Sequence, residues 1–241
     1  MKTIFKVRIH FFFYIIFLIS IFTGVFKDFI SITLIVAFHE MGHIIFSQIF
    51  NWKIEEIVMI PFGFITIFNN KINGSILEEF IVTISGILFQ TILIFIIKNP
   101  VINRYNLIIL LFNLIPIYPL DGSKLLNQLC TLLLPFKLSH FILIIISFIF
   151  VPVVILYTRF NLMIIVIMIL YIIKIIEELK NHNYIFNKFL FERYLYKIKF
   201  KRKKTIIGIK IHKMYRNYTH IFKSENININ EYEILERMFD R

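Results

Sequence analysis

The feature that most constrains this chain is its supply of long apolar runs with few charges. Segments rich in Ile, Leu and Phe occupy residues 9–26, 29–50, 76–97, 101–120, 138–157 and 160–176. Each approaches the roughly 20 residues a helix needs to cross the hydrocarbon core of a bilayer. A soluble fold could not cover such runs. Of 241 residues 58% are hydrophobic and 17% charged, too few polar groups to close over a core of that size. Lipid is the alternative solvent, and the sequence therefore reads as an all-α polytopic membrane protein with about six transmembrane helices.

Charge sets the expected orientation. The formal net charge is +12, and its sources cluster at the ends. Lys2, Lys6 and Arg8 open the chain, and Lys199 to Lys204 reads KFKRKK. In a polytopic protein such flanks stay in the cytoplasm, where they also meet anionic lipid. Six crossings place both termini there, although Lys98 and Arg104 on an expected outer loop pull weakly the other way. The tail carries no aromatic-interleaved RNA-binding signature, so direct nucleic-acid binding is not expected. The single cysteine, Cys130, excludes an intramolecular disulfide framework. The first apolar run lacks a small-x-small cleavage site and reads as a retained helix.

The connection from residue 51 to 75 is different in character. Two short β-branched and aromatic runs, 57–60 and 64–68, flank Pro61 and Gly63 and predict a short β-hairpin. Open strand edges cannot face lipid, so the hairpin belongs at the interface or along a protein cavity. From about residue 180 charge and Asn rise, residues 205–211 alternate like a strand, and Asn230 opens a helix toward Met238. The expected organisation is a six-span membrane domain over 1–180 and a basic, small α+β cytoplasmic tail over 181–241.

One run of residues carries chemistry. His39-Glu40-Met41-Gly42-His43 lies inside the second apolar segment. On a helix, residues four apart are separated by about 40° and about 6 Å of rise, so both imidazoles can grip one metal ion. Glu40, beside the first ligand, is then placed to take a proton from water. A carboxylate inside a span is costly unless a metal or a buried partner offsets it. Catalytic zinc takes three protein ligands and keeps one position open. Asp121 is the candidate for the third, at the end of the fourth apolar segment after Pro116 and Pro119, whose missing N–H groups should unwind that segment and aim a carboxylate inward.

Together the His39–His43 motif and Asn113-x-x-Pro116-x-x-Pro119-Leu120-Asp121-Gly122 resemble the two signatures of the site-2 protease family of intramembrane zinc metalloproteases. The resemblance implies that His39, His43 and Asp121 hold Zn2+, that Glu40 is the catalytic base, and that Asn113, Pro116 and Pro119 bind or shape the substrate segment. Six spans without a PDZ insertion resemble the sporulation branch. That branch implies a membrane-associated substrate such as a pro-sigma factor, inhibitory membrane proteins as partners, a homo-oligomer as a further partner, and a bacterial cell membrane or the membrane around a forespore. It also implies a CBS-type tail, of which 205–241 would be a short or partial version. In the third span the family usually has a Gly-Pro pair, where this chain reads Ser85-Gly86-Ile87.

Two other readings stay open on the residues alone: the same family acting on another membrane-bound regulator such as an anti-sigma factor, or a non-proteolytic transporter or regulator. A transporter should show paired inverted halves, and no such symmetry is found. His10 and His140, at span ends, read as interfacial residues, and His182, His212 and His220 share no ligand spacing.

Overall fold

The computed structural model describes residues 6–60, 63–69, 72–224 and 227–240. It is mostly helical, with two three-stranded sheets. Among the described residues three helices are long and apolar enough to cross a membrane. The chain divides into two units, Met1–Asn70 with Leu77–Leu114, and Lys71–Ile76 with Ile115–Arg241.

The first unit runs β1 (Lys6–Ile9), α1 (Phe11–Phe22), α2 (Phe26–Ile49), β2 (Lys53–Ile60), β3 (Gly63–Asn69), α3 (Ile76–Ile96, from Leu77 on) and α4 (Pro100–Asn113). The expected hairpin is β2–β3, antiparallel, with a register shift between Ile54 and Glu56. Pro61 and Phe62 between its strands lie outside the described residues. The sheet holds a third strand that periodicity did not reveal: β1 pairs parallel with Glu56–Met59. That ladder takes the basic flank at residues 6–8 and the first residue of the apolar run, Ile9, into a strand. Gly24, at φ +77, breaks the chain again before α2. What remains, α1, is 12 residues long, about 18 Å at the helical rise and short of a hydrocarbon core. By contrast α2 and α3, at 24 and 21 residues, match their expected spans to within a few positions.

Small residues let these elements approach closely. A Cβ on Gly42 of α2 would sit 2.5 Å from the Ser85 carbonyl oxygen of α3, so those backbones touch where any larger residue would hold them apart. Gly63 likewise brings β3 onto Val36 of α2. Polar groups lock the packing: Tyr105 of α4 donates to Asp28 of α2, and the Trp52 indole donates to Glu78 of α3. The outer face of α3 leaves Leu88, Ile92 and Phe95 exposed along one stripe, a surface suited to lipid.

The second unit holds α5 (Asp121–Leu133), α6 (Phe136–Tyr157), α7 (Leu162–Tyr196), β4 (Lys203–Ile207), a 3-10 turn (Ile211–Lys213), β5 (Thr219–Ser224), β6 (Ile227–Asn230) and α8 (Glu231–Phe239). On α6, Phe141, Ile145 and Ile149 form a second exposed apolar stripe. The 35 residues of α7 run unbroken past position 180. In the tail, β4 pairs parallel and β6 antiparallel with the central β5, and α8 begins at Glu231 with the anticipated Asn230 at its N-cap. Phe189, Leu190, Met214, Phe222 and Leu235 form the core between the end of α7 and the tail.

A buried ionic knot fastens that core. Arg193 on α7 is 1% exposed, pairs with Glu231 at 2.7 Å, and donates to the carbonyls of Tyr215 and Tyr218 and to Asn73 Oδ1. Asn73 in turn donates to Glu192. The second Glu231 oxygen accepts from the backbone N–H and the Nδ1 of His220. Because His220 Nε2 accepts the Tyr215 N–H, its ring is the neutral tautomer. Burial lowers the His220 pKa accordingly. Burial alone would raise the Glu231 carboxyl, but the His220 hydrogen bond and the Arg193 charge outweigh it and hold it below the usual range.

Candidate metal centre and active site

His39 and His43 lie one turn apart on α2, 2% and 6% exposed. Their rings are held from α3. His39 Nδ1 stands 2.9 Å from Gln90 Oε1, and His43 Nδ1 stands 2.7 Å from the Val82 carbonyl oxygen. A carbonyl only accepts, so the Val82 contact places the proton of His43 on Nδ1. The same holds for His39. Gln90 Nε2 donates to the Asn106 carbonyl on α4 at 3.0 Å, which turns the amide oxygen toward the histidine.

With both protons on Nδ1, both Nε2 atoms present lone pairs, and these face each other at 3.0 Å. In two neutral rings that approach is repulsive, and a shared cation reverses its sign. The separation is close to the roughly 3.3 Å between two nitrogens bound at about 2.0 Å to one tetrahedral ion. The space above the pair is kept by Gly86 of α3, where a Cβ would lie 2.5 Å from His43 Nε2 and 2.8 Å from His39 Nε2. Donor chemistry, tautomers and the cleared space all fit a divalent metal such as zinc.

Glu40, between the two ligands on the same helix, is half-buried. Its Oε2 accepts the Thr66 hydroxyl of β3 at 2.9 Å. The expected base is thus tied to the β3 edge of the sheet. Neither Thr66 nor Gln90 was singled out from the sequence. A glutamine inside an apolar span was the available signal for Gln90, whereas nothing local marks Thr66.

Asn113 is the last residue of α4 in the first unit and half-buried. The remaining expected residues belong to the second unit. Pro116 and Pro119 unwind the chain as anticipated. The irregular stretch is tied to α6 by the Tyr118 N–H, which donates to Ser147 Oγ at 3.0 Å. Asp121 does not close a fourth span that reaches residue 120. The helix expected there stops at Asn113, and Asp121 is the first residue of α5, a helix the apolar runs did not disclose. It is 6% exposed and paired with Lys124 at 2.8 Å. A carboxylate on the first turn of a helix is also favoured by the N-terminal backbone N–H groups. His39, His43 and Asp121 are thus three buried donors of the types that bind zinc.

Elsewhere in the second unit His140 departs from its interfacial reading. It is buried on α6, its Nε2 2.8 Å from Glu178 and its Nδ1 2.8 Å from His182, both on α7.

No family model matches the chain. It is 33% identical over 207 residues to stage IV sporulation protein FB of Bacillus subtilis (strain 168), a match covering 79% of this chain and 72% of that protein. Its fold is similar to that of the site-2 protease from Methanocaldococcus jannaschii, with a TM-score of 0.55 and 20% identity over 71% of this chain and 89% of that one.

Proposed function

The chain belongs to the site-2 protease family of intramembrane metalloproteases, and from that premise we propose that it holds zinc on His39, His43 and Asp121 and cuts a membrane-associated precursor protein. The observation that carries the metal reading is the pair of Nε2 lone pairs turned on one another at 3.0 Å beneath Gly86. Zinc, when bound, supplies Lewis acidity, which makes a water acidic near neutral pH and polarises a carbonyl.

The protein's own groups do the rest. Glu40 accepts the proton of the attacking water and returns it to the leaving amine nitrogen. The Thr66 hydroxyl holds Oε2 of that carboxylate, which orients Oε1 for the transfer. Peptide bonds in a helix are shielded, so the substrate must become extended before it is cut. An extended segment adds to β3, an edge strand of the sheet, and Thr66 on that strand brings the base beside it. Asn113 binds the substrate backbone, and Pro116 and Pro119 shape the segment that presents Asp121.

The relative from Bacillus subtilis carries sporulation in its name. The substrate proposed here is accordingly a sporulation pro-sigma factor, released from the membrane by cleavage near its pro-sequence. The protein is a multi-pass membrane protein with both termini in the cytoplasm, and other membrane proteins hold it inactive until cleavage is due.

The test is co-expression of a tethered pro-sigma precursor with the wild-type protein or with Glu40→Gln. Cleavage by the wild type alone supports the assignment, and cleavage that persists in Glu40→Gln removes Glu40 as the base. Zinc analysis of purified Asp121→Ala tests the third ligand: content equal to wild type takes Asp121 out of the set. Proline substitutions along β3 that leave cleavage unchanged would dispose of strand addition.

A further inference from the structure

Gln90 is fully buried in α3, among apolar neighbours where leucine would be the inexpensive choice. Its side chain and backbone make bonds in three directions. Oε1 faces His39 Nδ1 at 2.9 Å, Nε2 donates to the Asn106 carbonyl at 3.0 Å, and the Gln90 carbonyl accepts from Asn106 Nδ2 at 3.0 Å. Asn106, on α4, is also fully buried. The amide therefore cannot turn over: reversing it would set its oxygen against the Asn106 carbonyl and its NH2 against a ring nitrogen that must then accept.

We propose that Gln90 is a positioning residue of the metal centre, whose clamped amide oxygen holds the proton of His39 on Nδ1 and aims Nε2 at the ion. The proposal rests on the reading of His39 as a metal ligand. The two histidines differ in how they are held. At Nδ1 His43 faces a backbone carbonyl, which substitution leaves in place, whereas His39 faces a side chain, which substitution can remove. The reciprocal bonds between Gln90 and Asn106 tie α3 to α4, so the orientation of a ligand on α2 is set by the packing of two other helices. Loss of the partner that orients a ligating histidine lowers metal affinity by about 10- to 100-fold.

Two substitutions separate this role from a structural one, because both abolish the donation from Nε2 to Asn106. Gln90→Met also removes the acceptor for His39. Gln90→Glu keeps an acceptor of the same reach, and a charged one. Zinc affinity of the full chain in detergent is measured by competition with a chromophoric chelator, and the Co2+ absorption spectrum reports the ligand set.

The expected result is an affinity about 10- to 100-fold lower in Gln90→Met, with Gln90→Glu restored to within about threefold of wild type and an unchanged Co2+ spectrum. Equal losses in both variants would mean that the α3–α4 tie alone matters, and wild-type affinity in Gln90→Met would mean that neither contact does; either overturns the proposal. If Gln90→Met does not fold, Gln90→Asn, an amide one methylene too short to reach the ring, is read in its place. His39→Ala is the control for the underlying reading. If it binds zinc as wild type does, His39 is no ligand; if it loses zinc while Gln90→Met keeps it, this proposal alone fails.

Discussion

Replacing Gly86 by alanine adds one methyl group at the point where the metal-binding reading is most exposed to test. The new Cβ would lie 2.5 Å from both Nε2 and Cε1 of His43 and 2.8 Å from His39 Nε2. The tighter of these is about 0.9 Å inside the distance at which ordinary contact begins. Neither ring can swing away cheaply, since each is bonded at Nδ1, to Val82 O and to Gln90 Oε1. Overpacking of this kind costs about 1–3 kcal/mol, which corresponds to about a 5- to 150-fold change in an equilibrium constant. The methyl group meets the histidine rings whether or not the ion is bound, so the strain lowers folding stability, and because the atoms it displaces are the ligating nitrogens it lowers zinc affinity as well. Zinc affinity by chelator competition, alongside the thermal midpoint in detergent, is the assay. Gly42→Ala is the contrast. Its Cβ meets the Ser85 backbone at 2.5 Å, so it forces α2 from α3 and should lower the thermal midpoint first. A Gly86→Ala protein that binds zinc as tightly as wild type would refute the placement of the ion over the His39–His43 pair.

Other outcomes follow from the same geometry. Glu40→Gln should reduce turnover by about 10²- to 10⁴-fold while zinc content stays at the wild-type level, measured on one purified preparation. Thr66→Val should lower kcat by about 10- to 100-fold, the worth of one hydrogen bond to a charged group, with KM little changed and Thr66→Ser close to wild type; equal kcat in the valine variant would leave Thr66 without a role at the base. Arg193→Met leaves Glu231 buried without its cation and should cost the tail about 3–5 kcal/mol, visible as rapid proteolysis beyond α7 in the intact protein. Acid should act on the same knot. His220 is held neutral, so its contribution to stability is complete above its unfolded pKa near 6.5 and declines as pH falls below it. The share of Glu231 is lost lower still, as pH falls through its depressed folded value. Amide-exchange protection of β5 and α8 should therefore weaken from about pH 6 downward, and protection that rises on acidification would contradict both assignments.

What the sequence determined by itself was whatever depends on local periodicity and composition. The long apolar segments at 29–50, 76–97 and 138–157 became α2, α3 and α6 because a run of that length has to satisfy its own backbone in lipid. The i,i+4 placement of His39 and His43 follows from helical geometry, and the pair of prolines at 116 and 119 announced that the fourth segment would unwind. Tertiary structure decided the rest, because the deciding partners are remote in the chain. Residues 6–9 read as a basic flank running into the first apolar segment until β2 offers them a ladder some fifty residues away. Asp121 opens a helix of its own, where periodicity had placed it at the end of a span. Most of all, the electrostatics of the site were not legible. The proton on His39 is placed by Gln90, 51 residues on, and the Glu40 carboxylate is held by Thr66, 26 residues on, across a strand. The motif names the atoms that can hold a metal ion; the packing of α3 and β3 against α2 decides which lone pairs face it.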